Sequence, residues 1–417
     1  MKNKSNKFAA FVGIDWADSK HDLSVISASG EKPAHQEIAH TPEALSDWLN
    51  KLRLQFPEGQ IAICLEQSRG ALIFHLLMYD FITLFPVNPK SLARFREAFT
   101  TSGAKSDFSD TDLLRELVAT HHDRLRPWQP DEEQTRTIAF LCEARRKAVN
   151  DRSRYTTRLR STLKMFFPQA LELIGESLRS SMALDFLNKW PQLSNVKKAK
   201  TKTIQKFYTT HNSRSPELIQ ERLELIASAM PLTTDQAVVK SCLLTVKMLV
   251  AQITQLNSSI DEFDKELKSL YDNHPDKDIF DSFPGSGDAL GPRLLSAWGS
   301  DRNRHDSACS MQKYSGVAPV TKASGKSKIV IRRLACPKFL LQTFHEFANC
   351  SRRSSVWAQA YYEMLRDHGK SHHTAVRSLA FKWIRIMYRC WKERTKYDEV
   401  KYLQSLKRSN SPLRGYI

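Results

Sequence analysis

Four acidic residues lie at positions where they could bind divalent metal ions. Asp15 follows the apolar run Phe8 to Ile14, which is typical of a buried strand, and Glu66 follows a second apolar run. Asp107 and Asp110 are three residues apart, so a helix would carry both carboxylates on one face. Hard divalent cations prefer such oxygen ligands, and two of them can position a scissile phosphate. The four acids therefore indicate metal-dependent chemistry at a phosphodiester.

A second group of residues could supply a nucleophile and bind phosphate. Ser324 precedes Gly325 in a stretch, 307–345, that contains no Asp or Glu. A serine in such a flexible, cationic loop could attack a phosphodiester while nearby Lys or Arg balances the developing charge. A serine followed by glycine is more often a plain loop residue, so this pattern alone leaves both interpretations open. The cations predicted to contact nucleic acid here are Lys322, Lys326, Lys328, Arg332 and Arg333.

A third candidate surface is the helix predicted over Thr374–Lys392. Its apolar residues fall on one side at about 100° per residue, which predicts a core-facing side. Its basic residues fall on the other side, where a solvated surface is the alternative to a nucleic-acid contact. The residues predicted to bind nucleic acid from this helix are Arg377, Arg385 and Arg389.

Residues 8–120 alternate strand and helix signals. Three strands are followed by helix, strand, helix, strand and helix, which is the order of the α/β RNase H-like fold. In that fold the first and fourth strands are neighbours, so Asp15 and Glu66 are expected at the same sheet edge. The predicted strands are Phe8–Asp15, Leu23–Ala28, Pro33–Ala39, Gln60–Leu65 and Ile82–Val87.

The remaining chain is predicted to be largely helical and to form two further domains. Residues 131–275 make a helical region with an arginine-rich stretch, Glu143–Lys164, and a near-heptad seam from Val239 that would pack within the chain or dimerise it. Residues 276–417 are predicted to form a mainly α-helical domain. Its turn at Pro284–Gly287 resembles a helix-hairpin-helix, with Gly291-Pro292 expected to interrupt the following helix.

Charge and composition narrow the class of protein. The net charge is +18, which favours a polyanionic partner such as nucleic acid. No apolar run approaches a membrane span, and the polar start Met1–Lys7 lacks a signal-peptide core, so we expect a cytoplasmic protein with no membrane partner. The cysteines contain no C-x-x-C pair, which makes disulfides and structural zinc improbable. They are Cys64, Cys142, Cys242, Cys309, Cys336, Cys350 and Cys390.

Taken together, these motifs resemble those of the insertion-sequence one-ten family of transposases over nearly the whole chain. These are DEDD-type recombinases related to Piv-like DNA invertases. Phe11-Val-Gly-Ile-Asp15 is similar to the first acidic motif, Cys64-Leu-Glu66 to the second, and Lys105-Ser-Asp107-Phe-Ser-Asp110 to the third. The C-terminal Gly316-Val-Ala-Pro319, followed by Ser324-Gly325, resembles the serine motif. Thr111 departs from the alanine that often follows the fourth acid.

The resemblance implies a specific mechanism. The N-terminal domain, 1–130, would be an RNase H/RuvC-like DEDD domain whose Asp15, Glu66, Asp107 and Asp110 bind Mg²⁺. Ser324, in the C-terminal transposase domain, would become covalently linked to DNA. A structured noncoding bridge RNA would pair with donor and target DNA. The protein would act as a dimer or tetramer with active sites composed between subunits, in the nucleoid-associated cytoplasm of a bacterium.

Three alternatives remain open at the level of sequence. A metal-dependent nuclease or junction resolvase would use the acids alone. A tyrosine recombinase would use residue types echoed by His373, Arg377 and Tyr388, but would leave the acids without a role. A non-catalytic RNA-binding scaffold would explain the charge and the helices, and would show salt-sensitive RNA binding without DNA cleavage.

Overall fold

A computed structural model describes residues 7–30, 32–66, 70–99, 107–325, 327–409 and 411–416, and leaves out the side chains of 98–99, 107–109 and 414. The chain forms two compact units, Met1–Pro130 and Asp131–Ile417. Each unit has its own buried apolar clusters. The boundary at 275/276 that the sequence suggests within the second unit stays a prediction.

The first unit is built on a mixed sheet of five strands. The strand order is β3-β2-β1-β4-β5, with β1 antiparallel to β2 and parallel to β4. The α/β character and the order of the elements are as predicted. Its elements are β1 (Phe8–Trp16), β2 (Lys20–Ser27), β3 (Ala34–Ala39), α1 (Pro42–Gln55), β4 (Gln60–Leu65), α2 (Ala71–Leu76), β5 (Ile82–Pro86), α3 (Pro89–Phe99) and α4 (Asp107–His121).

Alternation along the strands creates two helix-covered faces. Ala10, Val12 and Ile14 of β1 pack with α1 and α2 on one face. Phe8 and Phe11 pack with α3 and α4 on the other. Because both faces are covered, β1 is apolar nearly throughout, and its polar residues come only at its end.

The second unit is helical apart from one hairpin. Its elements are α5 (Glu133–Phe166), α6 (Ala170–Leu173), α7 (Ser181–Lys189), α8 (Leu193–Lys197), α9 (Thr201–Thr210), α10 (Pro216–Ser228), α11 (Gln236–Asp272), α12 (Lys277–Asp281), α13 (Gly287–Trp298), α14 (Ala308–Tyr314), β6 (Val320–Ser324), β7 (Ser327–Ile331), α15 (Lys338–Ser351), α16 (Val356–Asp367), α17 (His372–Glu393), α18 (Glu399–Arg408) and a 3₁₀ turn (Pro412–Gly415).

The long helix α11 packs antiparallel along α5 of the same chain. Arg145 Nη2 donates to Asp264 Oδ2 at 2.9 Å, and Arg152 Nη1 donates to Asn257 Oδ1 at 2.9 Å. The predicted seam therefore has an intramolecular partner. By length and composition alone α11 could also cross a membrane, which the sequence pattern did not lead us to expect. One such helix is weak evidence for a membrane span, and α11 buries one side against α5.

The predicted interruption at Gly291-Pro292 is wrong, because α13 continues through Pro292. Gly291 is needed for packing instead: a methyl group added there would lie 2.6 Å from the Tyr271 hydroxyl oxygen. The preceding turn contains Gly285 at φ +80°, and a methyl group there would lie 3.0 Å from the Cys350 carbonyl carbon. The turn thus joins α12 to α13 as expected, and it packs closely on the end of α15.

Candidate active site

The ends of β1 and β4 bring two of the predicted acids to the same sheet edge. The parallel register pairs Ile14 with Leu65, so Asp15 and Glu66 are the next residues on neighbouring strands. Adjacent strands are about 4.8 Å apart. Alternation directs Asp15 to the same face as Gly13, and Glu66 to the same face as Cys64. Burial first, and the Glu66 charge second, raises the pKa of Cys64 to about 12.

A third acid lies at the same edge of the sheet. Asp22 of β2 is directly opposite Asp15 in the antiparallel register, and both side chains are half-buried. Like charges directly opposite each other destabilise a sheet, so a cation bound here would relieve a repulsion. The sequence pattern places Asp22 in a turn and gives no sign of this proximity, because the register between strands is not visible locally.

Helix α4 covers the face to which Asp15 points, and Gly13 sets how closely it approaches. A methyl group added at Gly13 would lie 2.0 Å from the Thr111 carbonyl oxygen and 2.6 Å from the Arg115 backbone nitrogen. Both are backbone atoms, which cannot rotate away. Only glycine therefore allows the first turns of α4, which carry Asp110, to contact β1.

We expect Gly13→Ala to displace α4 and weaken DNA cleavage. Overpacking of this kind costs about 1–3 kcal/mol, so the melting temperature should fall as well. The control is Gly415→Ala, because a methyl group at Gly415 meets no atom within 4 Å. Thermal unfolding and cleavage rates would be measured on both variants. A Gly13→Ala protein with the stability and activity of the unmodified chain would contradict this role.

A polar cluster fastens α4 to the antiparallel strands. Asp112 Oδ1 accepts hydrogen bonds from Ser24 Oγ at 2.6 Å and Arg115 Nη2 at 3.2 Å, and it lies 2.9 Å from His35 Nε2. Arg115 Nε also donates to Ser24 Oγ at 2.8 Å. Burial acts to raise the pKa of Asp112, but the hydrogen bonds from Ser24 and His35 and the charges of His35 and Arg115 outweigh it and lower that pKa.

The lowered pKa gives a pH-dependent prediction. A carboxyl whose pKa is lower when folded stabilises the protein above its unfolded pKa, about 3.9, and this stabilisation is lost as pH falls through the folded value. Asp112→Asn should therefore lower the melting temperature at neutral pH, with the difference shrinking as the pH falls below about 4. A difference that stays constant with pH would show that the Asp112 charge does not fasten α4.

The first turn of α4 carries two of the predicted acids, Asp107 and Asp110. Asp110 is buried, and its carboxylate forms an ion pair with Arg96 of α3. Asp107 is the first residue of α4, one turn from Asp110, and its side chain lies outside the described residues. Arg96 is a further candidate site residue, since it balances the charge of a predicted metal ligand.

Three of the four predicted acids thus belong to one face of one sheet and its covering helix. Within the described part of the chain, no group of three or more His, Cys, Asp or Glu side chains is close enough to hold a metal ion. The side chain of Asp107 lies outside the described residues. Shared metal binding by the four acids therefore stays a prediction.

Ser324 lies at the tip of a β-hairpin, in the second unit. It is the last residue of β6 and pairs with Ser327 of β7, with Gly325 at φ +54° in the turn. The sequence pattern predicts a loop here, and the structure has a strand that ends at Ser324. β-Branched residues lie a few positions before the glycine (Val320, Thr321) and after it (Ile329–Ile331), and such residues favour strands. The tip is exposed, so the serine hydroxyl is accessible to a ligand.

The predicted nucleic-acid contacts lie on this hairpin and on α17. Lys322, Lys328 and Arg332 are exposed, whereas Arg333 Nε donates to the Ala318 carbonyl at 3.3 Å; Lys326 is outside the described residues. Burial first, and the charge of nearby Arg332 second, lowers the pKa of Arg377. Arg385 and Arg389 are exposed on α17, and Arg389 Nε lies 3.3 Å from Glu393.

The core-facing side of α17 is confirmed. The residues predicted to be apolar and buried are all buried: Val376, Leu379, Ala380, Trp383, Met387, Cys390 and Trp391.

The Tyr388 hydroxyl has a structural partner, because it donates a hydrogen bond to the Asp306 carbonyl at 2.9 Å. This contact argues against Tyr388 as a nucleophile.

Two family models match the chain. Residues 12–168 match the DEDD transposase model for IS110, described as a transposase, and residues 277–363 match the transposase IS116/IS110/IS902 family. The first match contains the four predicted acids, and the second contains Ser324.

Relatives from several bacteria are similar over nearly their whole length. The mini-circle putative transposase for IS117 of Streptomyces coelicolor is 28% identical, covering 94% of this chain and 96% of the relative. The uncharacterized 42 kDa protein of insertion element IS900 from Mycobacterium paratuberculosis is 22% identical, covering 93% and 96%. The uncharacterized 43.6 kDa protein of insertion element IS110 from Streptomyces coelicolor is 21% identical, covering 93% and 95%.

Proposed function

The chain belongs to the IS110 family of transposases, and from this premise we propose that it breaks and rejoins DNA with Mg²⁺, a serine nucleophile and a guide RNA. The observation that carries the proposal is the register of β1 and β4, which makes Asp15 and Glu66 neighbours beneath the helix that bears Asp110. The strand order supports an RNase H/RuvC-like fold for the first unit.

The carboxylates of the first unit suit a hard divalent cation. Asp15, Glu66, Asp107 and Asp110 would hold Mg²⁺ through oxygen ligands, and the opposed pair of Asp15 and Asp22 supports a cation at this edge. Mg²⁺, when bound, would polarise the scissile phosphate and balance charge on the attacking and leaving oxygens. Gly13 and the Asp112 cluster would hold α4 in place during the reaction.

Ser324 would attack phosphorus in a balanced exchange of esters. Its Oγ forms a bond to phosphorus as the bond from phosphorus to a deoxyribose oxygen breaks, and the serine proton ends on that leaving oxygen. The number of phosphate ester bonds is conserved, so attack by a new DNA hydroxyl can reverse the step and join a different strand. The cationic hairpin supports this role because it surrounds the serine with groups that balance phosphate charge.

The partners in this proposal are donor DNA, target DNA and a structured bridge RNA. The net charge of +18 supports extensive contact with polyanions. The acids and Ser324 belong to separate compact units. In keeping with the family resemblance, the protein would act as a dimer or tetramer whose active sites combine residues from different subunits.

The experiment is a recombination assay with purified protein, its element's RNA, Mg²⁺ and both DNAs. Joined products should form only when all components are present, and omission of RNA or of Mg²⁺ should each stop the reaction. Recombination that proceeds equally well without RNA would remove the guide from the proposal. Recombination in the presence of a chelator would remove the metal.

A further inference from the structure

A groove in the second unit has the chemistry of a nucleic-acid backbone site, and its lining includes none of the residues of the candidate active site. It runs beside α5, where the segment 176–179 forms its other wall, and has a volume of about 460 Å³. Three arginines and a row of hydroxyl groups line it, together with one acid, Glu176. The lining residues include Arg152, Thr156, Thr157, Arg160 and Arg179.

The arginines of the groove keep their charge available. Among the described residues, no carboxylate forms an ion pair with Arg152, Arg160 or Arg179, in contrast to Arg145, which pairs with Asp264. The Arg160 Nη2 atom donates to the Glu176 backbone carbonyl at 3.2 Å, which directs its side chain along the groove. Unpaired guanidinium groups are typical of surfaces that receive phosphate.

Arg152 is held in position for a ligand. Its Nη1 donates to Asn257 Oδ1 at 2.9 Å, and its Nε is buried without a hydrogen-bond partner. Burial first, and the neighbouring Arg179 charge second, lowers the pKa of Arg152. An anion in the groove would offset the burial of this charge and screen the repulsion between Arg152 and Arg179.

Three hydroxyl groups on α5 donate their protons within the helix and present oxygen lone pairs to the groove. Thr156 Oγ1 donates to the Arg152 carbonyl at 2.7 Å, Thr157 Oγ1 to the Ser153 carbonyl at 2.9 Å, and Ser153 Oγ to the Val149 carbonyl at 2.9 Å. Each hydroxyl proton is therefore used within α5, and the oxygen lone pairs remain. The sugar of DNA offers no donor to them, whereas the ribose 2′-hydroxyl of RNA does.

We propose that this groove binds the ribose–phosphate backbone of an RNA, with the arginines on phosphates and the hydroxyl row accepting from 2′-hydroxyls. Positions 152 to 160 span about 12 Å of helix, which matches about three nucleotides of axial rise. This proposal rests on the proposed function, because it assumes that an RNA takes part. It adds the place at which the protein distinguishes RNA from DNA.

The charge of the groove is tested by RNA binding of the full chain. Arg160→Ala with Arg179→Ala should weaken binding of a hairpin RNA at least tenfold at physiological salt. It should also reduce the slope of log affinity against log salt by about one to two. The control is Lys147→Ala with Arg154→Ala, which removes two charges from exposed positions on α5 outside the groove. Equal losses in the two double variants, or no loss in either, would overturn the groove as the site.

The hydroxyl row is tested by comparing RNA with DNA. Thr156→Val with Thr157→Val keeps side-chain shape and helix propensity, and should weaken binding of the RNA hairpin about three- to tenfold. Binding of a DNA hairpin of the same sequence should not change. Equal losses for both hairpins, or none for RNA, would overturn the assignment to RNA. These two tests measure RNA binding, so their outcome does not depend on whether the RNA guides recombination. That question is decided by the recombination assay from which the RNA is omitted.

Discussion

Ser324→Ala should abolish the covalent protein–DNA adduct and strand joining while leaving DNA binding unchanged. The substitution removes only the hydroxyl oxygen at an exposed hairpin tip, so the fold has no reason to change. Loss of a nucleophile typically costs several orders of magnitude, and we expect at least about a 1000-fold loss here. Denaturing gels of reactions with labelled DNA would detect the adduct directly.

The matched control is Ser327→Ala, because Ser327 is the cross-strand partner of Ser324 on the same hairpin. It should form the adduct at a normal rate. An adduct that persists in Ser324→Ala would remove this serine from the mechanism. Undiminished cleavage by Ser324→Ala without any adduct in the unmodified protein would instead favour the metal-dependent nuclease or resolvase, which hydrolyses DNA through the acids alone.

Asp15→Asn should stop both strand cleavage and adduct formation. The amide keeps the size of the side chain but removes the charge that a divalent cation needs. Since Asp15 lies near the end of the central strand β1 and next to Glu66, its loss would affect every metal ion at this edge. We expect at least about a 1000-fold loss of cleavage, with RNA and DNA binding retained.

Asp18→Asn is the control for charge. Asp18 is an exposed acid in the turn that follows β1, three residues from Asp15, so its removal changes the net charge equally. It should cleave DNA normally. Comparable losses in both variants would mean that the general charge of this edge matters and that Asp15 has no special role as a ligand.

Much of the first unit can be predicted from the sequence because its signals are local. Apolar runs bounded by polar turns give the strands, and Thr41-Pro42 gives the start of α1, where Thr41 Oγ1 accepts from the Ala44 backbone nitrogen. Acids that directly follow two such runs are then expected at one edge of a parallel pair. These inferences need only the spacing of apolar and polar residues along the chain and the rules of strand pairing.

What the sequence does not reveal depends on contacts between distant elements. The fit of α4 over Gly13, the hydrogen bonds of Asp112 to Ser24, and the position of Asp22 opposite Asp15 all arise from packing. The hairpin of Ser324 was missed for another reason. Its strands are exposed on both faces, so they lack the apolar alternation by which strands are recognised.

The central prediction is that the carboxylates at the ends of β1 and β4 and in the first turn of α4 bind divalent metal together. The most direct measurement is Mn²⁺ binding to the full chain by electron paramagnetic resonance, compared with Asp15→Asn and Glu66→Gln. We predict that the unmodified protein immobilises Mn²⁺ and that each variant weakens this binding at least about tenfold. Variants that bind Mn²⁺ as tightly as the unmodified protein would contradict the claim.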